Sequence, residues 1–314
     1  MITIKRYSPE LKSQWDSFVR ESRNATFLFL RDYMDYHSDR FLDSSWIAYK
    51  GEKIVAVLPA NVSKDGVLHS HQGLTYGGWV LPQRHIDGAD VLEIFNAAIA
   101  RWKEESYVAL DYKPLPYIYA SRPSQEDEYA LFRLGATRVE CNLSTAIPLF
   151  RECAYNKLRR RALSKAASLQ FTIKEFEDAA PLMKMVSECL HDRHNTSPVH
   201  TAEEMQLLKE RFPREIRFWM LEMEGAPHAA VCVYDTGIVA HAQYIATTPY
   251  GREHNLLTPL FHHLISKEYS DRSYFDFGTS NEARGTILNE GLLRQKASFG
   301  ATGVAYNRYN IAIL

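Results

Sequence analysis

The sequence predicts a mixed α/β (α+β) protein built as two similar units in tandem, and three observations predict it. The chain has 314 residues, 46% hydrophobic and 12% aromatic, which is enough for two ordinary cores. Short runs rich in β-branched and aromatic residues are interleaved with segments whose apolar residues recur every three or four positions. The second half also replays the first. Ser106-Tyr107 returns as Ser273-Tyr274, and Leu134-Gly-Ala-Thr137 returns as Phe299-Gly-Ala-Thr302, at offsets of 167 and 165 residues. A steady offset across separate elements marks duplication of one unit.

The first unit is expected over residues 1–150. It opens with a strand, Ile2 to Arg6, and a helix from about Pro9 whose Leu11, Trp15, Phe18 and Val19 make an apolar stripe. Trp46 to Tyr49 and Lys53 to Val62, joined at Gly51-Glu52, read as a hairpin. After the glycine-rich stretch Ser70 to Gly78 come a helix from about Ala89 to Lys103, a strand from Tyr107 to Asp111, a helix from Glu126 to Leu134 and a strand from Thr137.

The second unit, residues 151–314, begins with a basic connector helix at 155–168 and a strand, Phe171 to Phe176. Helices near Ala180 to Leu190 and Ala202 to Arg211 precede a hairpin, Arg217 to Glu224 and His228 to Tyr234, turning at Gly225. A strand from Ile238 to Ala246 and a helix from Leu256 to Tyr269 follow. Tyr274-Phe-Asp-Phe277 then alternates as a short buried strand, and Gly278 lets the chain turn. The next helix carries Leu292, Gln295, Lys296 and Phe299 at three- and four-residue spacing, so Lys296 sits on or beside the apolar face.

A net charge of −1 disfavours bulk nucleic-acid binding, so an anionic partner has to be met by a local patch. The connector offers one. Lys157, Arg159, Arg160, Arg161 and Lys165 cannot all face water on one side of a helix. The segment is either a solvated charged helix or an anion clamp in which Arg160, Arg161 and Lys165 hold phosphate or carboxylate. The four cysteines are scattered, without Cys-x-x-Cys, and read as reduced residues of a cytoplasmic protein. No window approaches the ~20 apolar residues that span a bilayer.

Several polar residues are candidate ligands of a substrate. His71, Gln72 and Tyr76 lie in the glycine-rich loop, and Thr279 and Asn281 in the turn after Gly278 can bond main chain or ligand. On the strand Ile238 to Ala246, alternation gives His241 and Gln243 one face and Tyr244 the other. His191 and His194 at three-residue spacing have no third ligand nearby, so acceptor contact is favoured over metal and no metal is expected.

Taken together, the Trp15 to Phe18 helix, Ser70-His71 and Thr75-Tyr-Gly-Gly78, the basic connector at 160–165, Asp276-Phe-Gly278 and Lys296-Ala-Ser-Phe-Gly300 resemble the Fem-type peptidyltransferases and their relatives in the GNAT acyltransferase superfamily. The resemblance covers nearly the whole chain. It implies two tandem GNAT-like lobes around a shared cleft, the last strand, 305–314, packing with the first lobe. It also implies transfer of an acyl or aminoacyl group to the amine of a small-molecule or peptide acceptor, with peptidoglycan-like peptides among the candidates. Lys296 would stabilise the oxyanion, and Asp276 and His241 would orient the acceptor.

The sequence departs from the superfamily at one place. GNAT enzymes that use acetyl-CoA carry Arg/Gln-x-x-Gly-x-Gly/Ala after the fourth strand, where backbone amides cradle the pyrophosphate. The matching stretch here, Thr247 to Leu256, has only Gly251, with Arg252 and His254 as possible side-chain contacts. The donor is therefore open between acyl-CoA and aminoacyl-tRNA. A catalytically degenerate GNAT-like protein that binds a ligand or partner, or a structural protein, is the competing expectation.

Overall fold

Alternation at Ile2 and Ile4 becomes the first strand of the computed structural model, which describes residues 1–194 and 196–313, the side chains of 192–194 excepted. Strand β1 (Ile2–Arg6) pairs antiparallel with β2 (Trp46–Lys50), which pairs with β3 (Lys53–Leu58). Helix α1 (Lys12–Arg20) buries Trp15, Asp16 and Val19, and a short α2 (Arg31–Met34) follows. The strands β4 (Asn61–Val62), β5 (Val67–His69) and β6 (Ala109–Tyr112) lie side by side, β5 and β6 parallel. Between them, α3 (Gly88–Glu104) starts at a capping box in which the Asp87 side chain takes the Asp90 amide and the Asp90 side chain takes the Asp87 amide. Helix α4 (Glu126–Arg133) leads to the long β7 (Thr137–Pro148).

Asn156 caps α5 (Lys157–Ala166), its side chain accepting the Arg159 amide at 2.9 Å. Strand β8 (Thr172–Phe176), α6 (Ala179–His194) and α7 (Ala202–Arg211) come next, α7 opened by a Thr201–Glu204 capping box. Then follow β9 (Ile216–Met223), β10 (Ala226–Asp235), β11 (Val239–Thr247), α8 (Pro249–Glu253), α9 (Leu257–His263) and β12 (Tyr274–Thr279). Two short strands, β13 (Asn281–Glu282) and β14 (Ile287–Leu288), precede α10 (Glu290–Ala297) and the last strand, β15 (Thr302–Ala312).

The chain divides into two units. One comprises Met1–Leu143, Asn281–Ile287 and Ala305–Leu314; the other comprises Ser144–Ser280 and Leu288–Val304. In the first, β15 pairs antiparallel with β6, from Tyr309 opposite Tyr112 to Ala312 opposite Ala109. Its core is built on Trp46, Trp79, Phe95, Trp102 and Leu110. In the second, the strand order is β7-β12-β11-β10-β9-β8, over a core that includes Leu221, Val231, Leu260, Phe261, Phe275 and Phe299. Truncating one such aromatic to Ala typically costs about 3–5 kcal/mol, so each core is set by a few large side chains.

The repeated tetrapeptide has a structural meaning. Gly135 (φ +72°) and Gly300 (φ +85°) both take the left-handed conformation that stops a helix, and β7 and β15 start at the threonine two residues on. Both copies therefore say "end the helix, begin the strand".

Three expectations are corrected in detail. The helix expected from Leu256 to Tyr269 opens at Leu264–Glu268 into a π-type turn, where the Tyr269 amide reaches back five residues to Leu264. Strand β12 runs past Gly278 to Thr279, so Gly278 (φ +76°) is an irregular point within the strand rather than the start of the turn. On β11, Tyr244 pairs with Cys232 and Ala242 with Val233, which leaves Gln243 as the extra residue of a bulge and breaks the simple alternation expected of His241, Gln243 and Tyr244.

Candidate active site

In the second unit, β11 and β12 run parallel from Val239 opposite Tyr274 to His241 opposite Asp276. Strand β11 continues to Thr247, beyond the paired stretch, so this pair of residues stands where the ladder ends. Asp276 is fully buried. Its Oδ2 lies 2.9 Å from His241 Nδ1, while Oδ1 accepts from the Ser144 hydroxyl at 2.6 Å and from the Gly278 amide at 3.0 Å. A buried carboxylate needs such donors to stay charged. In return it fixes the imidazole: with the Nδ1 proton donated to Asp276, the lone pair is on Nε2.

Gly278 links this pair to Lys296. A Cβ at Gly278 would stand 3.4 Å from His241 Cε1, and its positive φ favours glycine in any case. The Gly278 carbonyl accepts from Lys296 Nζ at 2.8 Å, and the Thr279 carbonyl accepts at 2.7 Å. Lys296 is only 5% exposed, so it neither snorkels nor lies loose on the helix edge. Burial, partly countered by the Asp276 charge, lowers its pKa to about 8. Two of its three N–H bonds are used by carbonyls, and a third donor remains. The unit thus gathers an oriented imidazole and a buried ammonium around one glycine.

The first unit carries an echo of the pair. His69 faces Asp111 across β5 and β6 at the equivalent parallel register, with Nδ1 3.2 Å from Oδ2. Here, however, Asp111 is gripped by the Arg308 guanidinium, whose Nε donates to Oδ1 at 2.7 Å and whose Nη2 reaches Oδ2. Burial works against the Asp111 charge, but Arg308 and His69 prevail and hold its pKa at about 2. Sequence reasoning misses His69, Asp111 and Arg308. The signal was available, because the 165-residue offset maps Asp276 onto Asp111.

The other expected residues fall in several places. His71 and Tyr76 are buried in the first unit, Tyr76 with its ring 4.8 Å from that of Tyr119 and His71 stacked 5.1 Å from His37. Gln72 is exposed and bonded to Asn61, and the Asn281 amide is engaged with main chain at Leu143 and Gly285. In the second unit, Tyr244 bonds His200 Nδ1 at 2.6 Å, and Thr279 contributes its carbonyl to Lys296. Arg160, Arg161 and Lys165 are all exposed, whereas Arg159, the one arginine of the connector not put forward as a ligand, is the buried one. His191 is exposed, and the side chain of His194 lies outside the described residues. On α8, Gly251 is packed so closely that a Cβ would meet the His228 carbonyl oxygen at 2.2 Å, and its amide is taken by Thr248 Oγ1 at 3.0 Å. Arg252 is exposed, and His254 stacks on Tyr250 at 4.0 Å. Among the described residues, no cluster of three or more His, Cys, Asp or Glu is placed to hold a metal, and no helix is long and apolar enough to cross a membrane.

Comparison with known proteins bears on the domain type and the fold. Residues 154–283 match the family described as acetyltransferase (GNAT) domain, a family type that in general uses acyl-CoA donors. No curated protein sequence matches the chain. Among solved structures, FemX is similar with a TM-score of 0.71 at 10% identity, covering 98% of this chain and 96% of that one. A tandem GNAT protein from the clavulanic acid biosynthesis pathway gives 0.55 at 13% identity, covering 100% and 99%. The C-terminal domain of a putative lysylphosphatidylglycerol synthetase from Agrobacterium fabrum gives 0.58 at 12% identity, covering 98% and 93%. Residues 154–283 thus match a GNAT acetyltransferase domain, and the chain as a whole is similar in fold to FemX and to the tandem GNAT protein.

Proposed function

We propose that this protein transfers an acyl or aminoacyl group to the amine of a small-molecule or peptide acceptor by direct attack, with the chemistry in the second unit. The observation that carries the reading is the Lys296 ammonium, buried and held on the Gly278 and Thr279 carbonyls beside the His241–Asp276 pair. The amine nitrogen attacks the acyl carbon and forms the C–N bond. The carbonyl oxygen becomes an oxyanion, to which Lys296 offers its remaining N–H. Collapse breaks the bond to the leaving sulfur or oxygen, and one proton passes overall from nitrogen to that leaving group. His241, oriented by Asp276, accepts the proton at Nε2. No covalent enzyme intermediate is required.

Two donors fit the reading: acyl-CoA, the general donor of GNAT domains, and aminoacyl-tRNA, which the Fem-type resemblance implies. The acceptor class is tested by screening amines and peptidoglycan-like peptides against both donors. A product with one new amide bond, formed by the wild type and lost in Lys296→Met, supports the proposal. Wild-type turnover in that variant refutes the role of Lys296, and absence of transfer across the screen favours the ligand-binding alternative.

A further inference from the structure

Arg23, Arg31 and Arg159 are the buried arginines among the described residues, at 6%, 3% and 8% exposure. Two of them have a carboxylate. Arg23 pairs with Glu126 at 2.9 Å and Arg31 with Asp43 at 2.8 Å. Arg159 has hydroxyl partners instead: Nε and Nη2 donate to Ser298 Oγ at 3.0 and 2.7 Å, and Nη1 donates to Thr258 Oγ1. Its guanidinium lies 4.0 Å from the centre of the Phe299 ring. Taking a full charge out of water without a counter-charge is costly, and neutral hydroxyls do not neutralise it. Burial accordingly lowers the Arg159 pKa, the nearest counter-influence being the Tyr155 phenol.

The position of this charge is informative. Thr258 is in the first turn of α9, just past the 247–256 stretch that the resemblance sets against the GNAT pyrophosphate loop, and Ser298 caps α10 two residues after Lys296. That stretch is poor in usable amides: Pro249 has no N–H, and the Gly251 amide is taken by Thr248. The three bonds to hydroxyls leave one N–H on each terminal nitrogen of Arg159, a fork that matches two oxygens of one anion.

We propose that Arg159 is a phosphate-binding residue, the fixed cation that receives a phosphoryl or pyrophosphoryl group of a substrate of the second unit, from beside the loop rather than within it. The inference rests on the transferase reading only in taking the anion to belong to a substrate. Ser298 and Thr258 are positioning residues, and Phe299 fixes the plane of the fork.

The test is a binding measurement that does not read turnover. Inorganic pyrophosphate, CoA and pantetheine, which lacks phosphate, are titrated calorimetrically into the wild type, Arg159→Lys and Arg159→Gln. The expected result is pyrophosphate and CoA binding weakened about 10- to 100-fold in Arg159→Gln, the usual worth of a charge-assisted contact, with pantetheine binding unchanged. Arg159→Lys, which keeps the charge but loses the fork, should recover only part of the loss. CoA binding that falls with pyrophosphate binding identifies the acyl donor as the source of the phosphate. Pyrophosphate binding that falls alone assigns the site to another phosphate-bearing substrate. Unchanged pyrophosphate and CoA binding in a folded Arg159→Gln, equal losses for CoA and pantetheine, or no pyrophosphate binding by the wild type would overturn the proposal and leave Arg159 a clamp between α5, α9 and α10. Should the variants fail to fold, wild-type crystals soaked in pyrophosphate give the answer: the anion on the Arg159 terminal nitrogens supports the site, and its absence there refutes it. A phosphate site without any acyl transfer would sink the transferase reading and spare this one.

Discussion

His241 faces Asp276 across β11 and β12 with Nδ1 2.9 Å from Oδ2, and the duplicated unit repeats the arrangement with His69 and Asp111 at 3.2 Å. What differs is the third partner. Asp111 is neutralised by Arg308 on β15, whereas Asp276 takes a hydroxyl and an amide and has the Lys296 charge nearby. One copy is closed into an ion triad, and in the other the carboxylate is shared by the imidazole, a hydroxyl and an amide.

The contrast predicts opposite outcomes for one substitution made twice. Asp276→Asn keeps the size of the side chain but loses the charge that orients His241, and turnover should fall by about 10²-fold or more, the scale of acid–base assistance. Asp111→Asn should leave turnover within a few-fold and instead destabilise the protein by about 2 kcal/mol, the worth of holding Asp111 at about 2 rather than its usual 3.8. Denaturant melts and rates on both variants check this. Equal kinetic losses would mean that the first-unit pair also serves the reaction.

Acid should unfold the first unit through a different pair. Burial, reinforced by Arg40, lowers the His37 pKa to about 4, and burial with the neighbouring His37 and Lys113 lowers that of His71. The unfolded chain binds these protons near pH 6.5, so the unfolded state gains protons first as pH falls. Stability is fully present above pH 6.5 and is lost as pH drops through about 4, by up to about 3 kcal/mol for His37 alone. His37→Phe, which keeps a ring against Phe41 and His71, should flatten this part of the profile. Parallel profiles for variant and wild type would place the acid sensitivity elsewhere.

Gly251 separates packing from ligand binding. A methyl there would stand 2.6 Å from Thr247 Oγ1 and 2.2 Å from the His228 carbonyl oxygen, and the second contact cannot be relieved without backbone movement. Gly251→Ala should therefore destabilise the protein by about 1–3 kcal/mol, as overpacking does. A variant that melts like the wild type yet loses CoA affinity would show that the glycine serves the ligand.

Local signals carried the fold well. The helix expected over Ala202 to Arg211 is α7, which the structure shows opened by a Thr201–Glu204 capping box, and the turn at Gly225 places the β9–β10 hairpin. The bulge at Gln243 had no such signal, because it is set by the hydrogen-bond register of Cys232 and Val233 on the neighbouring strand. Lys296 and Asp276 were legible as a motif, but their relation passes through the Gly278 carbonyl and amide, which no side-chain pattern reports. In the connector, a run of three arginines identifies a charged helix without saying which one is buried. That is decided by Ser298 and Thr258, about 140 and 100 residues away, an order of separation at which only the tertiary fold brings groups together.

The sharpest prediction concerns Lys296. If its ammonium meets the oxyanion, Lys296→Met should lower turnover by about 10²- to 10³-fold, the usual loss for one pre-organised donor, with little change in substrate affinity. The pH dependence gives a second, independent reading. Lys296 is a cation below about 8, so the rate should fall as pH rises through that value. Stability must move the other way: between about 8 and the ordinary 10.5 the unfolded chain holds the proton more tightly than the folded one, so folding is favoured as pH rises through this window, by up to about 3 kcal/mol. The methionine variant lacks the group, and the difference between its stability profile and that of the wild type should show this rise. At pH 7 the variant's stability should change little, because removing the buried charge offsets the loss of two bonds to carbonyls. A variant with wild-type turnover and no alkaline difference in stability would make Lys296 a clasp between α10 and β12, and the oxyanion would have to be met by another group.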